Sequence, residues 1–238
     1  MKKRVSFKTV LSGSLWLWYD HMGSMALVNM LWFLFCIPIV TMPAVTAGVF
    51  AYVHSLLAGR DEGIGAFFLG IRDLGARATL ICACLVFLGF VCGANVAFYL
   101  FIVSDKSPVI GMVGAGIFFW VGLILSSLCL YLFPVLCHFK RGWKRIVKVS
   151  FLLAVAHPFL LIWLFFTFLC LIIVGIVSGI GLLLFSVSLA CTCPTVAVVA
   201  GLILYQGTEE TDLITVRFQS MEEDWKRRGI AYIVKPWG

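Results

Sequence analysis

Four long stretches of the chain, residues 22–59, 78–104, 107–139 and 149–208, contain no Asp, Glu, Lys or Arg. They run to 38, 27, 33 and 60 residues. The hydrocarbon core of a bilayer takes about 20 helical residues. The second and third stretches therefore read as single spans, and the first and last are long enough for a helical hairpin each. Helix is the expected element throughout, because a lipid-exposed segment must satisfy its backbone groups internally.

The first stretch contains its own break. Pro38 and Pro43 stand five residues apart, and proline removes a backbone donor and clashes with the preceding turn. Residues 22–37 are expected to rise, 38–43 to break the helix, and 44–57 to return. Thr41 and Thr46 are placed to satisfy the backbone groups freed by the break. The return segment of about 14 to 16 residues either crosses with little tilt or stops short as a re-entrant element. In the last stretch, His157-Pro158 marks a helix start, since Pro is favoured in the first helical position. A span over about 159–177 follows, then a turn at Ser178-Gly179-Ile180-Gly181, then a return over about 182–205.

The charges between the stretches set the expected topology. Lys2, Lys3, Arg4 and Lys8 precede the first; Arg60, Arg72 and Arg77 lie at 59–77; Lys140, Arg141, Lys144, Arg145 and Lys148 lie at 140–148; and Arg217, Lys226, Arg227, Arg228 and Lys235 follow the last. The other connections are nearly neutral, with Lys106 the one cation among them. Positive loops stay in the cytoplasm. Six spans with both termini inside satisfy every basic segment, whereas five would force one outside. The expected fold is thus all-α: a polytopic membrane bundle of about six spans in three hairpins, over residues 1–208, with a cytoplasmic tail at 209–238. Apolar residues at helical spacing add cytoplasmic interfacial helices. Phe7, Val10, Leu11, Leu15 and Trp18 form one such stripe, Phe67, Phe68, Ile71 and Leu74 a second, and Ile146, Val149, Leu152 and Leu153 a third. An interfacial helix followed by a hairpin would then occur three times, as an internal repeat would.

Composition agrees. Hydrophobic residues make up 62% of the 238 and charged residues 12%, about half the charge of a soluble domain. The net charge of +7 sits beside the apolar runs, where it meets anionic headgroups rather than nucleic acid. The basic start is followed by a long apolar run only from Met22, with no small-residue cleavage pattern, so no cleaved leader is expected. Nine cysteines all fall in apolar runs. Cys82-x-Cys84 and Cys191-x-Cys193 lack the spacing and polar setting of a zinc site and read as packing residues. In the tail, Glu222/Lys226, Glu223/Arg227 and Asp224/Arg228 are favourable i,i+4 pairs, suited to a short solvated helix or a docking element.

Candidate chemistry is sparse. Gly89, Gly93 and Ala97 fall four apart, as do Cys193, Ala197 and Gly201; such lines let membrane helices approach closely, within the bundle or between copies. Pro194 beside the second line suggests a kink. The membrane stretches hold Asn29, His54, Asn95 and several Ser and Thr, but no carboxylate of the kind that serves proton-coupled carriers. His54, His138 and His157 lie near the inner ends of spans. No nucleophile has a visible base partner and no phosphate loop is present, so neither catalysis nor a cofactor is expected.

The stretch Asn29 to Gly63, NMLWFLFCIPIVTMPAVTAGVFAYVHSLLAGRDEG, combines an Asn-Leu-Leu-Trp-like run, a Pro-x-Val-Thr step and a small-residue return helix ending in charges. Two later blocks, AFFLGIRDLGARATLI and LYLFPVLCHFKRGWKRIVKVSFLLAVAHPFLLI, follow in order. Together they resemble the YesL-like family, bacterial membrane proteins of unknown function. The chain departs at Met42-Pro43-Ala44, where that family more often has Gly-Pro after the threonine. The resemblance implies a multi-helix integral membrane protein associated with carbohydrate uptake; with the sparse chemistry above, the expected role is a non-enzymatic inner-membrane accessory or regulatory partner of a carbohydrate-uptake system. Composition and spacing leave two other roles open: a small-molecule permease or facilitator, and a scaffold recruiting cytoplasmic proteins.

Overall fold

The computed structural model describes residues 7–60, 63–139, 142–178, 186–206 and 223. Among them the chain is helical, with no strand. Helices α1 (Phe7–Asp20) and α2 (Met22–Phe35) lead into a 3₁₀ turn at Ile39–Thr41 and then α3 (Met42–Ala58). Helix α4 (Gly65–Phe98) continues through a π-helical segment, Tyr99–Val103, into the single turn α5 (Ser104–Lys106). Helices α6 (Pro108–Phe139), α7 (Trp143–Ala156), α8 (Pro158–Ser178) and α9 (Val187–Gln206) complete it.

Four helical segments are long and apolar enough to cross a bilayer: Ile39–Ala58, Gly65–Val103, Pro108–Phe139 and Pro158–Gly175. Met22–Phe35 and Val187–Leu202 are shorter apolar helices. The fold is therefore an all-α membrane-type bundle, and each charge-free stretch of the sequence supplies one or two of its apolar helices.

Helix α9 sits at the centre, packed by α1, α2, α3, α6 and α8. Its side chains over 190–199 are mostly small and are buried on every face: Ala190, Cys191, Cys193, Val196, Ala197, Val198 and Val199, with Leu202 beyond them, belong to the core. Its hydroxyls are covered too, and bond back to its own carbonyls: Thr192 donates to Leu189 O (2.7 Å) and Thr195 to Cys191 O (2.7 Å). Pro194 lies inside the helix, which runs from Val187 to Gln206.

The structure corrects three expectations. Residues 59–77 do not form a separate interfacial helix, because the helix beginning at Gly65 runs on without a break to Phe98. At about 1.5 Å per residue, α4 spans about 51 Å, well beyond a hydrocarbon core of about 30 Å. Its first turns carry the exposed Arg72, Asp73 and Arg77; of the expected stripe, Phe67 and Leu74 are buried within the bundle, Ile71 is half-buried and Phe68 is exposed, while Gly70 and Ala78 join the buried face. On α1 the stripe is rotated: Val10, Ser14, Trp16 and Leu17 are buried, while Leu15 is exposed, because α1 packs on α9. The return helix α3 is also longer than expected, at 17 residues. It gains a stop from Gly59, whose left-handed backbone (φ 66) lets Arg60 N–H reach Ser55 O at 3.0 Å. Residues 179–185, the expected last turn, and the tail apart from Glu223 lie outside the described residues.

Candidate functional site

Of the residues singled out in sequence, the break in the first hairpin forms as a compact turn. Helix α2 stops at Phe35, and Pro38 begins the 3₁₀ turn in extended conformation (φ −78, ψ 111). Pro43 already belongs to the first turn of α3, where its missing N–H leaves no helical bond unmade. The two prolines thus do different things: Pro38 ends one helix and Pro43 starts the next. Thr41 Oγ1 lies 2.5 Å from Phe35 O and 2.7 Å from Pro38 O and shares its one proton between them, while Pro38 O also accepts from Thr41 N at 3.0 Å. Thr46 Oγ1 donates to Met42 O (2.8 Å) and accepts from Trp32 Nε1 (3.0 Å), which ties α3 to α2. The turn is exposed and apolar, with Ile37, Ile39 and Val40 outermost.

The small-residue lines separate. Cys193, Ala197 and Gly201 lie in the core or against it; a Cβ on Gly201 would come 2.8 Å from Leu153 Cδ2 of α7. Gly89 and Gly93 behave differently, since a Cβ on either would meet nothing within 4 Å, and Ala97 is exposed. Packing inside the bundle does not hold for that line, because it faces away from the other described helices. The close helix approach falls instead at α3 and α4. There a Cβ on Gly70 would lie 2.4 Å from the Ala51 Cβ, and one on Gly48 would lie 2.9 Å from Phe67 O. Sequence reading passed over this crossing because its glycines and alanines sit on two different helices.

Two polar clusters join residues distant in sequence. The first is buried: Asn29 Oδ1 accepts from Ser188 N (2.8 Å), and Asn29 Nδ2 and Trp18 Nε1 both donate to Ser188 Oγ (3.1 Å each). Ser188 lies near the start of α9. Asn29 thus holds the N-terminal end of α9 from another helix.

The second cluster is the strongest candidate for a polar site. His54 Nε2 of α3 stands 3.3 Å from His138 Nδ1 of α6. The rings meet edge to face, with centroids 5.5 Å apart. Beside them is a small cleft of about 90 Å³ lined in part by His54, Ser55, Arg60, Gly70, Asp73 and Cys137. The two imidazoles can share one proton across the 3.3 Å gap, one ring donating and the other accepting. In sequence His54 and His138 looked like two independent interfacial histidines; only the packing of α3 on α6 pairs them. Among the described residues no group of three or more His, Cys, Asp or Glu could hold a metal ion. Cys191 and Cys193 are core residues of α9.

Helices of this length and apolarity, packed round a buried central helix, define a helical membrane protein. No family model matches the chain, and no curated protein or solved structure does either.

Proposed function

We propose that this is a non-enzymatic integral membrane protein that acts as an accessory or regulatory partner of another membrane protein. One observation carries the reading: the most apolar part of the α4–α6 hairpin is largely uncovered by the described residues. Only 11% of the most apolar window of either helix is buried. The two helices hold each other through close contacts at the tip. A Cβ on Gly111 would lie 2.7 Å from Ser104 Cα, and Gly114 leaves room for the Tyr99 ring. Tyr99 in turn stacks on Phe118 at 5.7 Å. Outward they present Val86, Phe90, Phe101, Met112 and Trp120 together with the open line of Gly89, Gly93 and Ala97. Lines of small residues on a lipid-facing helix admit a second helix closely.

In this reading the chain makes six crossings of the inner membrane. α2 and α9 count as short spans, and both termini and the basic segments at 59–77 and 140–148 are cytoplasmic. That the partner belongs to a carbohydrate-uptake system rests on the family resemblance alone. Photo-crosslinking from position 93 in native membranes, followed by identification of the captured protein, tests the role. Capture of a stoichiometric transporter subunit is expected. Sugar flux through liposomes holding the pure protein alone, with no captured partner, would replace the reading with a permease.

A further inference from the structure

We infer that α7 is a binding helix for anionic phospholipid in the leaflet it faces; the inference rests on the membrane reading above. The helix has two distinct faces. Ile146, Ser150, Leu153 and Ala154 are buried against the bundle, and Leu153 seats against Gly201 of α9. This face fixes the helix along the protein's flank. The opposite face is exposed and changes character along its length. Lys144, Arg145 and Lys148 occupy its first half, while Phe151, Leu152 and Val155 occupy its second, all exposed. Arg145 is engaged by the protein, its Cζ lying 4.5 Å over the Phe139 ring. Among the described residues no carboxylate pairs with Lys144 or Lys148.

Between these lysines runs a shallow groove of about 450 Å³, lined by Trp143, Lys144, Val147, Lys148 and Phe151. A solvated helix would not expose Phe151, Leu152 and Val155 together, and a helix buried in acyl chains would not carry two exposed lysines that pair with no carboxylate among the described residues. The boundary between headgroup and acyl chain suits both halves. Charge selects the lipid: two cations beside an apolar groove suit a phosphate whose chains lie along Phe151, with no second charge of opposite sign to be met. Tryptophan at the charged end matches the same depth.

The test uses the full-length protein in detergent, with native mass spectrometry reading lipid adducts as phosphatidylglycerol or phosphatidylcholine of identical chains is titrated. Wild type should hold phosphatidylglycerol more tightly. Each lysine near an anionic headgroup contributes about a fivefold factor in affinity, so K144Q/K148Q should weaken phosphatidylglycerol about 25-fold. The same variant should leave phosphatidylcholine unchanged, and K144R/K148R should retain most of the preference. Both positions are exposed, and an unchanged melting temperature would confirm that the variants fold. Equal affinity of wild type for the two lipids would overturn the site, as would a preference that survives K144Q/K148Q. Displacement of phosphatidylglycerol by millimolar inorganic phosphate would also overturn it, since a free-phosphate site would then explain the charge. A protein that stays detergent-dependent while showing no preference would lose this site and keep the membrane reading.

Discussion

Asn29 Oδ1 accepts a 2.8 Å hydrogen bond from the backbone N–H of Ser188, joining the second helix to the start of the last across 159 residues of sequence. Asn29 is fully buried, and its amide also reaches the Ser188 hydroxyl, on which Trp18 converges from α1. Three helices are thus locked by one side chain in a setting where water cannot replace it. Asn29→Leu should remove a buried set of hydrogen bonds to Ser188 and cost about 1–3 kcal/mol. Ser188→Ala should cost less, because the backbone bond survives. Thermal unfolding in detergent, with both variants compared to wild type, checks the order.

Glycines of similar appearance in sequence should respond oppositely. Gly70→Ala places a Cβ 2.4 Å from that of Ala51, and overpacking of that kind costs about 1–3 kcal/mol. Gly93→Ala meets nothing within 4 Å, so stability should hold or rise slightly through the better helix propensity of alanine. If Gly93 receives a partner helix, the same variant should lower partner recovery without lowering the melting temperature. Measuring both quantities on both variants separates folding from association.

The first hairpin offers a graded series. Pro43→Ala alters only the first turn of α3 and should be nearly silent. Thr41→Ala removes hydrogen bonds to Phe35 O and Pro38 O and should destabilise by about 1 kcal/mol. Replacing Pro38 and Pro43 together removes both barriers to a continuous helix. That variant should be poorly expressed or should carry the 59–77 segment to the opposite side. Normal expression with unchanged accessibility at Arg72 would show that Thr41 and the packing of α3 on α4 set the turn without the prolines.

Orientation is checked by single-cysteine labelling in a background lacking the native nine cysteines. Cysteines at Arg72 and Lys144 should react with a membrane-impermeant maleimide only after the inner face is opened, and a cysteine at Val109 should react in intact cells. Labelling of position 72 or 144 from outside would refute six crossings with both termini cytoplasmic.

Much of this fold lies on single helices and is legible there. The absence of charge over 22–59 and 107–139 and the prolines at 38, 43 and 158 are local facts, and helix boundaries follow from them: α8 begins at Pro158, and the chain turns between Phe35 and Met42. Where sequence reading failed, the deciding partner was on another helix. An apolar stripe at 67–78 looks the same whether it meets lipid or α3; Gly48 and Gly70 decide the matter by letting the two backbones close. A line such as Gly89, Gly93 and Ala97 has identical spacing whether filled or empty, and only the placement of neighbouring helices leaves it open. The His54–His138 pair and the Asn29 bonds to α9 were beyond reach for the same reason. Hydropathy and helix breaking act within about one turn of a residue, so one sequence displays them. Which faces meet depends on the shapes of all the helices at once, and that is settled only when they pack.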